Sequence, residues 1–140
     1  MEKTAGVQDK LTGNEIEAAN RAEATALLIR AGDQVYRPEA DVAGEDLVVR
    51  TPAGELLSVQ LKSRLTVDEI RYGGTRKIWM LFPDRPFSKE RGRTWYLMPH
   101  NVLFAKIKKH HGHTSKWNDK WSSGSASKAY RAFLSEFAIF

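Results

Sequence analysis

The chain has 140 residues and no cysteine. That excludes a disulfide scaffold and any zinc site built on thiolates, and it fits a reducing compartment. No apolar run approaches the roughly 20 residues that a membrane-spanning helix needs. The opening MEKTAGVQDK lacks the apolar core of a secretory signal. There is no internal repeat and no low-complexity segment. The expectation from these absences is a cytoplasmic globular protein with no membrane partner.

The length suits one domain with one sizeable core. Residues 1–13 are polar and read as a flexible lead, leaving 14–140 as the domain. The formal charge of +5 suits a polyanionic partner such as nucleic acid. From Asn14 to Ala31 alanine and leucine dominate, and Gly32 stands where a helix would stop. Ala24, Leu28 and Ala31 form one stripe, and Glu17 falls on it nearer the helix start. Strands follow at Gln34 to Arg37, in DLVVR, in ELLSVQLKSR, from Lys77 to Phe82 and from Thr94 to Pro99. NVLFAKIKKHH reads as a helix capped by Asn101, Gly112 to Ser125 as irregular, and SKAYRAFLSEF as a closing helix. The order α-β-β-β-β-β-α-α belongs to the α+β class.

One hairpin gathers the chemistry. Pro52-Ala53-Gly54 can form a three-residue loop, with proline at the first central position and glycine in the left-handed one. Thr51 then pairs with Glu55, and counting outward sets Asp46 opposite Gln60, with Lys62 on the same face. Leu47, Val49, Val59 and Leu61 occupy the other face and need a core. A one-residue slip in register would break this arrangement. An aspartate, an amide oxygen and the Leu61 carbonyl can hold a hard divalent cation such as magnesium or manganese. Glu17 can add a carboxylate if its helix packs on this sheet. A lysine beside the cation can position water or stabilise charge on a phosphate. On a plain edge strand the same residues would be only a solvated face; Asp46 opposite and the preceding helix favour the site.

At these residues the sequence resembles the PD-(D/E)xK nuclease superfamily, in its Holliday junction resolvase-like, restriction endonuclease-like branch. GEDLVV supplies the aspartate, Asp46, and QLK supplies the tripeptide, with Gln60 in place of the usual acid and Lys62 as the lysine. Asn14 to Phe82 carry the resemblance. It implies a mixed β-sheet flanked by helices and a magnesium-dependent endonuclease acting on nucleic acid, with DNA the expected substrate and a homodimer a possible form. It also implies a helix glutamate in the site: Glu17 by helical phase, or Glu23, because NRAEA also resembles that family segment. Two departures stand out. Glu45 occupies the place of the usual proline, and Gln60 removes one negative charge. Asp41 and Glu45 read as loop charges within reach of a metal.

Arg64, Arg71, Arg76 and Lys77 flank the site and suit a phosphate backbone. His110, His111 and His113 invite a zinc reading. Adjacent histidines on a helix point different ways, so the stretch reads instead as a basic, aromatic surface, with Trp117 or Trp121 anchoring the core or stacking on a base. The alternative to an enzyme is a binding module for nucleic acid or protein on the same fold, its site degraded by Gln60.

Overall fold

The structure, a computed structural model, describes residues 10–40, 45–90, 92–125 and 128–139. Most of the expected N-terminal lead, and Asp41, lie outside these residues. In chain order the elements are α1 (Gly13–Arg30), β1 (Gln34–Tyr36), β2 (Leu47–Arg50), β3 (Leu56–Leu61), β4 (Leu65–Asp68), α2 (Glu69–Tyr72), β5 (Ile78–Pro83), β6 (Trp95–Pro99), α3 (His100–His111), β7 (Lys120–Ser123) and α4 (Lys128–Leu134). A 3-10 turn, Ser135–Phe137, follows α4.

Helix α1 starts on a capping box. Thr12 Oγ1 accepts the Glu15 N–H at 3.1 Å, and Glu15 Oε1 accepts the Thr12 N–H at 2.8 Å. It ends where Gly32 turns left-handed, at φ 96°, a conformation glycine adopts without steric cost. The hairpin forms as its turn requires. Gly54 has φ 89°, and the Thr51 N–H donates to the Glu55 carbonyl at 2.8 Å. Leu47 faces Val59 in the ladder, so Asp46 comes opposite Gln60.

Five strands form one mixed sheet in the order β1-β2-β3-β5-β6. The β3–β5 pair is parallel and the other pairs are antiparallel. This is the mixed α+β sheet flanked by helices that the sequence led us to expect. On one face Ala24 and Leu28 of α1 pack against Leu47, Val49, Val59, Leu81 and Trp95. On the other, Met80, Phe82 and Met98 meet Leu65 and Val67 of β4, Leu103 and Ile107 of α3, and Tyr130 and Leu134 of α4.

Several local expectations need correction. Asn101 does not cap α3: the helix begins at His100, its cap is Pro99, and no side chain bonds there. Gly112 to Ser125, expected to be irregular, contains β7, which pairs with β4 in a separate two-stranded ribbon. β3 stops at Leu61, and the following LTVD and EIRY form β4 and the single turn α2. Lys77 lies outside β5 with φ 52°. The ribbon is built from segments more than 50 residues apart, as in Thr66 against Ser122, so no local pattern announces it.

A buried cation ties α1 to the sheet. The Arg93 side chain is fully buried. It donates to both Glu23 carboxylate oxygens, at 2.9 and 3.2 Å, and to Asn20 Oδ1 at 2.6 Å. Trp95 Nε1 donates to the same Glu23 carboxylate at 2.7 Å. Removing one partner of a buried pair leaves the other charge uncompensated. Arg93→Ala is therefore expected to lower stability by about 3 kcal/mol in urea denaturation, and Arg93→Lys to restore little, because an ammonium cannot form the two-pronged contact.

His100 is buried, and its Nε2 accepts the Asp68 N–H at 3.0 Å. Burial pushes the imidazole below its ordinary range, against the pull of the Glu69 and Asp68 carboxylates. The unfolded chain then takes up a proton that the folded chain refuses. Stability is full above about pH 6.5, the unfolded value, and falls as pH drops from there toward the folded value. Unfolding free energies from urea denaturation across that range should decline in the wild type by up to about 1.4 kcal/mol per pH unit. They should decline less in His100→Gln, whose amide oxygen can still accept the Asp68 N–H.

Candidate metal and phosphate site

The end of β3, the start of β2 and the N-terminal half of α1 meet in one cleft. Asp46 is the last residue before β2, and its N–H is fixed by the Val59 carbonyl at 2.8 Å. Its Oδ2 accepts Gln60 Nε2 at 2.9 Å and the Leu61 N–H at 3.0 Å. Gln60 is thus oriented by Asp46, and among the described residues its Oε1 accepts no hydrogen bond. Lys62 follows at the strand end. Its N–H donates to the Leu81 carbonyl at 2.9 Å, and its ammonium lies 5.2 Å from the centre of the Tyr72 ring.

Glu17 comes to the same place from the helix. It lines a cavity of ≈ 420 Å³ together with Asp46, Gln60, Leu61 and Lys62. A second cavity of ≈ 280 Å³, which shares Glu17, Asp46 and Leu61 with the first, adds Arg21, Arg37 and Glu45. A third, of ≈ 200 Å³, shares Ile16, Asn20 and Ser63 with the first and reaches Arg64 and Gly124. The three make one trough along the first half of α1. Glu17 is exposed and pairs with Arg21 at 3.4 Å, one helical turn on. Glu23, the alternative helix acid, does not line the trough; Arg93 and Trp95 hold it.

The donor set on this cleft is all oxygen: two carboxylates, one amide and the Leu61 carbonyl. Such a set suits magnesium or manganese. Among the described residues no three histidine or acidic side chains are grouped to hold a metal. Gln60 contributes an amide, not a third acid, beside Asp46 and Glu17. The lack of such a group among the described residues extends to His110, His111 and His113: His111 stacks on Trp121 at 4.5 Å and His110 meets the Tyr130 ring at 5.2 Å. Trp117 packs against Phe104 and donates from Nε1 to Asp119 at 3.0 Å.

The basic residues named from the sequence are dispersed. Arg64 is exposed at one end of the trough. The Arg71 guanidinium lies 5.5 Å from the Tyr72 ring centre. Arg76 donates to the Ile70 and Gly73 carbonyls, closing the turn after α2. Lys77 precedes β5, at the strand end away from Leu61, and lines a separate cavity with Tyr72 and His100. Sequence reasoning missed Arg21 and Arg37. The spacing of Arg21 from Glu17 was a usable helical signal; for Arg37 at the cleft, and for the Tyr72 ring beside the Lys62 ammonium, there was no local signal.

No protein-family model and no curated protein matches this chain. Among solved structures it is similar to a bacterial homing endonuclease, I-Ssp6803I. The two are 17% identical, with a TM-score of 0.53, over 91% of this chain and 95% of the other. At that identity the likeness is one of fold, and it runs nearly the whole length of both chains.

Gln60→Glu provides a direct test of the donor set. It replaces the amide donor to Asp46 with a second carboxylate, so the cation-free protein should lose on the order of 1–2 kcal/mol. Added magnesium should then raise the melting temperature more than it does in the wild type. An equal magnesium shift in both proteins would take residue 60 out of the cation site.

Proposed function

We propose that the protein is a metal-dependent endonuclease of the PD-(D/E)xK type that hydrolyses phosphodiester bonds in DNA. The observation that carries this reading is the junction of Asp46, before β2, with Gln60 and Lys62 at the end of β3 and Glu17 across the cleft. It is supported by a fold shared with a homing endonuclease over nearly the full chain. Asp46 and Glu17, with the Gln60 amide oxygen and the Leu61 carbonyl, would hold magnesium or manganese. When bound, the cation lowers the pKa of water and offsets charge on the phosphate.

The chain's own residues do the rest. Asp46 fixes Gln60 through the Oδ2 contact, so the amide oxygen needs little reorganisation to bind. The Lys62 ammonium neutralises charge on the non-bridging oxygens as the water oxygen bonds to phosphorus and the ester P–O bond breaks. Tyr72 supports that ammonium through its ring face. Cleavage of both strands of a duplex by so small a unit favours a homodimer.

A second reading is favoured by one contact. Gln60 already satisfies Asp46 Oδ2, an arrangement that can persist without a cation, as a binding module on this fold would need. The two readings separate in one assay: magnesium-dependent cleavage of single-stranded, duplex and branched DNA and of RNA. The nuclease reading expects cleavage by the wild type, with Lys62→Ala and Asp46→Ala lowering the rate by about 100-fold or more while salt-sensitive binding survives. Binding without cleavage, unchanged in both variants, would establish the module instead.

A further inference from the structure

We infer that the β4–β7 ribbon is a base-reading element that enters the major groove of duplex DNA, an inference that rests on the nuclease reading above. The ribbon pairs Leu65 with Ser123, Thr66 with Ser122, Val67 with Trp121 and Asp68 with Lys120. Alternation assigns the two faces. Leu65 and Val67 are buried, and Trp121 packs beside them in the core. Thr66, Ser122 and Lys120 take the opposite face, with Arg64 at its start; Ser122, Lys120 and Arg64 are exposed.

The chemistry of that outer face is what base edges require. Arg64 and Lys120 are cations suited to the acceptor atoms of guanine. Thr66 and Ser122 form a cross-strand hydroxyl pair, 3.3 Å apart; the Thr66 hydroxyl donates to the Arg64 carbonyl at 3.0 Å, so Ser122 is the one that can donate to a base edge, while both oxygens can accept. The single acid of the pairing, Asp68, is buried, and its carboxylate accepts the Arg71 N–H at the start of α2, so it does not oppose a polyanion at the surface. Two strands about 4.8 Å apart, with their side chains, fit a major groove about 12 Å wide.

Continuity with the cleft supplies the second argument. Arg64 lies two residues beyond Lys62. It lines the end of the trough, and its guanidinium runs beside Gly124, just past β7. A phosphate backbone lying along the trough would bring the adjoining groove to the ribbon. The five-stranded sheet cannot serve this way, because apolar residues pack on both of its faces.

The test is selection from a pool of DNA duplexes with a randomised core, using the full chain in calcium to allow binding without turnover. Wild type, Arg64→Ala and the double variant Thr66→Val with Ser122→Ala are compared. Wild type is expected to enrich a defined sequence and to prefer it over a scrambled duplex. Each variant is expected to lose roughly 10-fold or more of that preference at particular base pairs. Enrichment of one sequence by all three proteins alike overturns the ribbon inference and leaves the nuclease reading intact, as does binding by wild type without any enrichment. Absence of both DNA binding and magnesium-dependent cleavage in the wild type overturns both, so the two failures are distinguishable.

Discussion

The register of the β2–β3 hairpin is the constraint on which both core and site depend. The turn fixes Thr51 against Glu55, and every pair beyond follows. Leu47, Val49 and Val59 then fall on the face covered by α1, and Asp46 meets Gln60 on the other. A slip by one residue would expose the apolar set and scatter the polar one. Burial thus enforces the geometry of the site: the same alternation that needs a core on one side aligns carboxylate, amide and ammonium on the other.

The hairpin alone makes only half of the cleft. The remainder comes from α1, whose position is held from two sides. Ala24 and Leu28 provide apolar contact with the sheet. The Arg93 guanidinium adds direction, binding Glu23 and Asn20 on the helix while lying 5.0 Å from the Trp95 ring centre. Dispersion would allow the helix to slide; a planar two-pronged contact does not. Glu17 sits six residues before Glu23 on the same helix, so the buried pair sets where the exposed acid stands relative to Asp46.

The trough, the acid pair and the ribbon combine into a surface with a polarity. Arg21 and Arg37 stand on one side of Asp46, Lys62 and Arg64 on the other. Negative charge is confined to the middle, where a cation would neutralise it, and positive charge flanks it. This distribution suits a polyanionic strand lying across the site better than a small ligand enclosed within it.

Local chemistry made much of this legible. An alanine- and leucine-rich run, a stop glycine, a three-residue turn and strict alternation foretold α1, the hairpin and the face shared by Asp46, Gln60 and Lys62, because each depends on neighbours a few residues away. The β4–β7 pairing, the Tyr72 ring under Lys62 and the choice between Glu17 and Glu23 were hidden, because each depends on where a distant segment packs. Asn101 misled for a related reason. Its side chain suits a helix cap, but α3 follows directly from β6, and the chain enters the helix at Pro99 without it. The sequence by itself determined the register and the chemical types of the site. Only the tertiary structure decided which helix carboxylate lines the cavity with Asp46, since Arg93 and Trp95, some 70 residues on, hold Glu23 away and Glu17 borders the cleft.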